Sequence, residues 1–385
     1  MNKISETILQ LIQQSQFTTC GISYELSKEE WDEVYKEASS QSVLGLVSNE
    51  VPKEVLDSES RWEQARYQQI ASYVRYCQAE TELKRVLDEG EIPFAILKGN
   101  AAAVYYLHPD RRMMGDIDFI VPQQMFELAM EVLLTHGYKA ERAFGPSERH
   151  VEFRKSGVEF ELHHHFSYED LDIEEYLDDG IDKRIMAHIA HHEFPMLPPL
   201  ANGLVLLAHA RYHLMNGMGL RQIVDWMMYV DKQLSDDFWQ EEFEKAAVSK
   251  GLDQFAKVMT RMCQKYLGLS DSITWCMDVD ESLCDEFIEV VLDSGNFGRK
   301  NGEGGKVETV SANMRRKGLF RWLQYAGEFN WKAYKKHPWL KPFCWIYQIF
   351  RYLSQGLKTK RSAKQLSGDF SRSKRRTELL AKLGI

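Results

Sequence analysis

The sequence predicts an α+β protein in which a small mixed β-sheet, flanked by helices, lies between two mainly helical regions. Apolar residues recur at helical spacing up to residue 90, and strand-like segments then alternate with helical ones from 91 to 166. Helical spacing returns after about residue 170. The β-α-β-α-β-β order in the middle indicates a mixed sheet with helices packed on it. We expect four regions: an N-terminal helical region (1–90), a sheet-containing core (91–166), a helical domain (167–295) and a basic, aromatic C-terminal region (296–385).

Composition places the chain among ordinary globular proteins. Its 385 residues are 44% hydrophobic and 27% charged, and they are enough for two or three domains. No stretch approaches the roughly 18 uninterrupted apolar residues of a membrane span, and the N-terminus lacks the apolar core of a signal peptide. The six cysteines show no C-x-x-C spacing, which argues against a zinc ribbon or a disulfide framework. These features predict a cytoplasmic protein.

Changes in the spacing of apolar residues predict the strands and helices of the sheet-containing core. A long helix over 61–90 ends at Gly90, and a short strand over 92–97 leads through the turn Lys98-Gly99-Asn100 into a short helix. The later elements are a strand at 115–121, a helix at 123–136, and strand-like segments near 138–143, 150–154 and 158–165.

Two aspartates interrupt an apolar run that otherwise reads as a buried strand. Alternate strand residues point to the same face, so Asp116 and Asp118 project side by side. Glu159, Glu161 and His163 share a face in the segment 158–165 in the same way. If the two strands are neighbours, the carboxylates converge and repel one another unless they hold divalent cations. Mg²⁺, or Mn²⁺ in its place, is the ion that such oxygen ligands favour beside substrate phosphates.

The turn before the aspartates suits a phosphate group. Lys98, Gly99 and Asn100 join a strand to a helix, so the turn offers close backbone approach and free N–H groups to an anion. Lys98 and Arg112 add positive charge next to it. Phosphoryl transfer depends mainly on positioning and charge stabilisation, for which these residue types are suited.

These motifs resemble the nucleotidyltransferase superfamily of DNA polymerase beta-like fold, and most closely the bacterial group called the uncharacterised nucleotidyltransferase family. The resemblance covers roughly residues 60–350. The matching segments are Leu97-Lys98-Gly99, Arg112-Met-Met-Gly-Asp116-Ile-Asp118, Glu161-Leu-His163, His209-Ala-Arg-Tyr-His213 and Gly219-Leu-Arg221 with Asp225. The phosphate turn departs from the superfamily's usual Gly-Ser.

The resemblance implies transfer of a nucleoside monophosphate from a triphosphate, with ATP as the expected donor. Asp116, Asp118 and Glu161 would bind the metals, and Glu161 would also orient or deprotonate the acceptor hydroxyl. Glu161 is preferred to Glu159 because the family's acid lies two residues before a histidine, as Glu161 does before His163. The acceptor, a small molecule, a glycan precursor or a protein side chain, is not specified by the sequence.

The sequence leaves two interpretations for several polar residues. We expect His163 to make a hydrogen bond to a carboxylate or phosphate rather than to ligate metal directly. His209 and His213, at i and i+4, suit either buried polar contacts or zinc, and the sequence lacks the H-E-x-x-H base. Arg221 and Asp225 have the same spacing, so they form either an intrahelical ion pair or contacts to the cleft.

The C-terminal region differs in charge from the rest of the chain. Residues 299–385 carry 21 Lys/Arg against 5 Asp/Glu, whereas the first 298 residues carry 27 against 52. This asymmetry suggests that the tail meets an anion: phosphate, an anionic lipid surface, nucleic acid or the acidic body itself. Peripheral membrane contact is one option, and nucleic-acid binding is another without a recognised module.

Two functions of other classes remain open. One is a non-catalytic nucleotide-binding or regulatory module with the same fold, which the altered phosphate turn allows. The other is a metal-dependent hydrolase that uses the histidines.

Overall fold

The computed structural model describes residues 1–17, 24–141, 150–167, 171–301, 310–311, 314–315, 318–358 and 363–385. The strands are β1 Ala95–Leu97, β2 Ile117–Ile120, β3 Lys139–Ala140, β4 His150–Lys155, β5 Val158–His163, β6 Ile185–Ile189 and β7 His192–Met196. The helices up to the middle of the chain are α1 Lys3–Phe17, α2 Lys28–Ser40, α3 Leu44–Val47, α4 Lys53–Ser58, α5 Ser60–Glu89, α6 Gly99–Ala103, α7 Phe126–Thr135, α8 Glu174–Asp182 and α9 Pro199–Asn216. The later helices are α10 Leu220–Gln233, α11 Asp236–Phe238, α12 Glu244–Ser249, α13 Asp253–Leu267, α14 Glu281–Ser294, α15 Leu319–Asn330, α16 Lys332–Lys336, α17 Cys344–Lys358 and α18 Ala363–Lys382.

The strands form one mixed sheet in the order β3-β4-β5-β2-β1-β7-β6. Its centre is β2, which pairs antiparallel with β1 and parallel with β5, bringing Asp118 opposite both Leu97 and Glu161. Strand β1 pairs parallel with β7 on its other side. The predicted α+β class is therefore confirmed, and the strands carrying the acidic residues are neighbours.

A strand hairpin lies within the region predicted to be a helical domain, 167–295. Strands β6 and β7 pair antiparallel, and β7 joins the sheet beside β1, so the sheet continues beyond residue 166. Hairpin turns usually carry Gly or Asn because the backbone adopts positive φ. Here Ala190 takes that conformation, with φ of 52°, and Ile185 and Met186 are both exposed. Neither a turn residue nor a regular alternation marks the hairpin in the sequence.

The C-terminal region predicted to begin at residue 296 starts in contact with the rest of the chain. Asn296–Asn301 forms a 3₁₀ helix, and residues 302–305 lie outside the described residues. The buried Asn296 side chain accepts a hydrogen bond from Gln222 and donates one to Ser42. The segment therefore ties the N-terminal helices to α10.

Helices α9 and α10 pack against each other behind the sheet. Most side chains of both helices are buried, as expected for a helix in the interior of a protein. Gly203 of α9 lies directly against the aromatic side chains of Tyr229 and Phe243. Within the part of the chain that the structure describes, no helix is both long and apolar enough to cross a membrane.

We expect Gly203→Ala to lower the free energy of unfolding by about 1–3 kcal/mol, the usual cost of overpacking a core. A Cβ there would lie 2.4 Å from Tyr229, whose ring is fully buried and whose hydroxyl donates to the Pro199 carbonyl. Urea unfolding measures the change. Gly115→Ala is the control, since its Cβ would meet nothing within 4 Å, and equal effects of the two substitutions would contradict this account of the packing.

Candidate active site

Three carboxylates converge at one end of the β2–β5 pair. Asp118 and Glu161 are paired across the two strands, and Asp116 lies two residues before Asp118 on the same side. One carboxylate oxygen from each residue lies within 4.8 Å of the other two. Asp118 is only 2% exposed, and Asp116 and Glu161 are partly buried. Three carboxylates held this close are oxygen ligands suited to a divalent cation.

The carboxylates perturb one another. The charge of Asp118, together with burial, raises the pKa of Asp116. Burial alone would raise the pKa of Glu161, but the hydrogen bond from His163 and the charge of Lys98 outweigh it and lower that pKa to about 2. The cluster therefore carries a high density of negative charge, which additional positive charge stabilises.

Two side chains that can carry positive charge contact the carboxylates of the cluster. Lys98 Nζ lies 2.6 Å from Asp118 Oδ1. His163 Nε2 lies 3.0 Å from the same oxygen and 3.4 Å from Glu161 Oε2. Burial opposes protonation of His163, but the hydrogen bonds to Asp118 and Glu161 raise its pKa. The expected hydrogen bond from His163 to a carboxylate is thus present.

The backbone at Lys98 is strained. Its φ of 52° and ψ of −138° are unusual for a residue with a side chain, and Gly99 follows with φ of 41°. This turn leads into α6, a helix of five residues. The Lys98 side chain consequently points back over β2 to Asp118, rather than away from the sheet.

The Asn100 side chain faces α5 instead of the turn. Its Nδ2 donates to Glu80 Oε2 at 2.8 Å, and His192 Nε2 contacts the same oxygen at 2.8 Å. Glu80 is 2% exposed. Glu80 and His192 were not predicted from the sequence, although Glu80 occupies a position in the buried stripe of α5 between Tyr76 and Leu83. A charged residue in such a stripe is the signal that it has buried partners.

Arg112 forms a buried ion pair with Asp225 of α10. Its Nε and Nη2 lie 2.6 and 2.8 Å from the two carboxylate oxygens, and Tyr106 donates its hydroxyl to Oδ1 at 2.6 Å. The Arg112 guanidinium is thus bound to Asp225, and its contact with phosphate stays a prediction. Of the two interpretations of Arg221 and Asp225, the intrahelical ion pair is not seen among the described residues, because Asp225 is bound by Arg112.

Arg221 instead contacts the segment that leads to the acidic cluster. Its Nη1 donates to the Met113 carbonyl at 3.2 Å, and its Nε is buried with no hydrogen-bond partner in the described part of the chain. The charge of Arg221 lowers the pKa of Asp116.

His209 and His213 form a buried pair on α9, with their Nε2 atoms 2.9 Å apart. Burial lowers the pKa of both, that of His213 to about 3, with further lowering from Arg221 and Lys98. Among the described residues, the groups of three possible metal ligands are Asp116/Asp118/Glu161 and His150/Glu161/His163. Neither of these groups includes His209 or His213, so the geometry agrees with buried polar contacts for this pair.

Comparison with known proteins identifies the family. A family described as uncharacterised nucleotidyltransferase matches residues 27–268, which is more than half of the chain. The chain belongs to the uncharacterised nucleotidyltransferase family. Its acidic cluster, Lys98 and the α9–α10 residues all lie within the matched segment.

Similarity to solved structures is weaker. One similar solved structure is that of an antigenic nucleotidyltransferase-like protein from Paracoccidioides brasiliensis, with 17% identity over 51% of this chain and 91% of that chain. Its TM-score of 0.32 is too low to support an inference about this member of the nucleotidyltransferase family. No curated protein matches the chain.

We expect Asp225→Asn to destabilise the folded chain by about 3–5 kcal/mol, because the substitution leaves the buried Arg112 charge without its partner. Urea unfolding at neutral pH measures the loss. Asp231→Asn on the same helix is the control, since Asp231 pairs with the exposed Lys232 and such a pair contributes at most about 1 kcal/mol. Equal losses in the two variants would contradict a structural role for the Arg112–Asp225 pair.

We also expect stability to fall as the pH is lowered from about 7 to about 4. The folded His213 has a pKa of about 3 against a usual value of 6.5, so the unfolded chain binds a proton in this range that the folded chain does not. The stabilisation is complete above the unfolded pKa and is lost as the pH falls toward the folded one. In urea unfolding at several pH values, His213→Gln should give a shallower slope than the wild type. His188→Gln, at an exposed histidine, controls for the loss of an imidazole, and identical slopes for His213→Gln and the wild type would be the contrary result.

Proposed function

We propose that the chain is a metal-dependent nucleotidyltransferase. It moves a nucleoside monophosphate from a nucleoside triphosphate, with ATP as the first donor to test, to a hydroxyl or phosphate on a small molecule, a glycan precursor or a protein. The observation that carries the proposal is the convergence of Asp116, Asp118 and Glu161 within 4.8 Å in a family of nucleotidyltransferases. Buried carboxylates in mutual repulsion are stabilised by a divalent cation.

The proposed roles follow from the contacts. Asp116, Asp118 and Glu161 would hold Mg²⁺ or Mn²⁺, whose positive charge stabilises the triphosphate and the charge that develops during transfer. Glu161, at the end of the cluster on β5, also orients the acceptor hydroxyl. His163 keeps Asp118 and Glu161 in place through its hydrogen bonds.

The triphosphate would lie beside Lys98. This ammonium group is within reach of the acids, and the backbone at Gly99 offers close approach. We add Arg221 to the proposed phosphate contacts, because its charge acts at Asp116 and its Nε has no partner in the described structure. Asn100 and Arg112 act indirectly. The Asn100 side chain is hydrogen-bonded to Glu80 of α5 and the Arg112 side chain to Asp225 of α10, so the two residues position these helices.

One observation favours a second candidate function, a nucleotide-binding or regulatory module without transfer. Lys98 occupies one oxygen of Asp118, at 2.6 Å, and a cation at the cluster has to share that carboxylate with it. If Lys98 retains the contact, nucleotide binds without activation. The hydrolase alternative has less support, because the described residues offer His209 and His213 no third ligand.

The test is nucleotidyl transfer in the presence of Mg²⁺ or Mn²⁺. The purified chain is incubated with each α-labelled triphosphate and a metabolite extract. The labelled product and the released, unlabelled pyrophosphate are then measured. Because loss of metal-held charge stabilisation costs several kcal/mol, we expect Asp116→Asn and Glu161→Gln to reduce the rate by roughly a hundredfold or more.

The matched control for Glu161→Gln is Glu159→Gln. Glu159 lies on the same strand and the same face, but it pairs with Arg154, so its loss should change the rate little. Product and pyrophosphate that persist unchanged in Asp116→Asn would overturn the catalytic assignment. Triphosphate binding by the wild type without any transfer would instead support the regulatory module.

We also propose a cytoplasmic location. Cys77, Cys263, Cys276, Cys284 and Cys344 are free thiols. Thiols are maintained in a reducing compartment, which agrees with this proposal.

A further inference from the structure

Helices α15 and α17 form a compact C-terminal hairpin (319–358), joined through α16 and a 3₁₀ helix at Pro338–Phe343. The two helices approach closely at Gly327, where a Cβ would lie 2.0 Å from the carbonyl oxygen of Cys344. Trp331 stacks on Tyr347 with ring centres 5.0 Å apart. These contacts make the hairpin a defined unit with an inner and an outer face.

Helix α17 buries a polar residue on its inner face and carries apolar residues on its outer face. Its inner face buries Gln348, which is 1% exposed and accepts a hydrogen bond from Asn330. The outer face carries apolar residues at i, i+3, i+4 and i+7, a spacing that puts them on one side of a helix. They are Ile346, Ile349, Phe350 and Leu353. Phe350 is 68% and Leu353 59% exposed.

The hairpin that carries this apolar face is positively charged as a whole. Residues 319–358 contain seven Lys/Arg and one acidic residue, Glu328, for a net charge of +6. Lys335, Lys336 and Lys341 are exposed on the connection between the helices, where Trp339 is 71% exposed. Apolar and aromatic residues bordered by Lys and Arg are typical of helices that lie in a membrane interface.

The basic residues of the last helix are used differently. Arg375 and Lys382 of α18 pair with Glu289 and Glu286 of the acidic helix α14, and the buried Arg376 donates to Ser294. The anionic partner of this last helix is therefore the acidic helix α14 of the same chain. The hairpin, in contrast, contains one acidic residue, Glu328, which lies 3.8 Å from Lys341, so its own residues do not balance its seven basic ones.

We propose that the C-terminal hairpin docks on an anionic phospholipid membrane surface, with Phe350 and Leu353 entering the interface and the lysines contacting lipid phosphates. The charge of the hairpin and its exposed apolar face together distinguish a membrane from the other possible partners. A second copy of this hairpin would bring a net charge of +6 against +6. A nucleic acid would satisfy the lysines but leave the apolar face in water.

Flotation with liposomes tests the proposal on the full chain. One set of vesicles is phosphatidylcholine, and in the other about one lipid in three is phosphatidylglycerol. We expect the chain to float with the anionic vesicles and to be released by salt. Phe350→Ser/Leu353→Ser should weaken binding at least about tenfold, because it removes two side chains that are buried only in the lipid.

The matched control is Tyr67→Ser/Ile70→Ser. These residues are also exposed and separated by three positions, but they lie on α5. The control variant should bind as the wild type does. All four positions are exposed, and circular dichroism and urea unfolding show whether each variant is folded.

Three outcomes would overturn the proposal. The first is no binding to either kind of vesicle, or equal binding to both. The second is a dimer, detected by light scattering, that Phe350→Ser/Leu353→Ser dissociates in a chain that does not bind lipid. The third is binding to duplex nucleic acid that Phe350→Ser/Leu353→Ser leaves unchanged while no vesicle is bound.

Discussion

The register between β2 and β5 is the constraint on which the site depends. Ile117 and Phe119 on β2, with Phe160 and Leu162 on β5, are buried on the face opposite to Asp118 and Glu161. A slip of one residue would move these apolar side chains to the other face and carry Glu161 away from Asp118. The free energy of burying the apolar residues thus fixes the register, and the proximity of the carboxylates is a consequence. The metal-binding geometry that we propose is therefore built into the core of the sheet.

The strained backbone at Lys98 is coupled to the same register. Leu97 pairs with Asp118, so the residue after Leu97 begins its turn next to that carboxylate. The left-handed backbone of Lys98 directs its side chain back to Asp118, and a conformation of this kind costs about 1–3 kcal/mol. The ion pair formed within the buried cluster offsets that cost. The backbone strain at Lys98, its ion pair with Asp118 and the pairing of β1 with β2 therefore depend on one another.

The sequence predicted the features that depend on local pattern. The alternation of acidic and apolar residues in Ile117–Ile120 and Val158–His163 identified both strands and the face that Glu161 shares with His163. The partner of Arg112 could not be predicted, because Asp225 is 113 residues away and only the tertiary fold brings them together. Arg112 stands close to Asp116 in the sequence, which suggested a phosphate contact instead. The β6–β7 hairpin was missed because Ala190 adopts the positive φ for which Gly or Asn is the usual signal.

The two halves of the basic tail differ because their helices bury different kinds of residue. Leu379 and Leu380 on α18, and Leu383 directly after it, are buried, and Arg375 and Lys382 of α18 pair with acids of α14. On α17, Gln348 is inside and Phe350 and Leu353 are outside. Rotating α17 to bury its apolar stripe would bring the Ile346 and Phe350 side chains to the interface that now fits Gly327 against Cys344. The close approach of the two helices therefore holds the apolar stripe outward, so its exposure follows from the packing of the hairpin and leaves the stripe available to a partner.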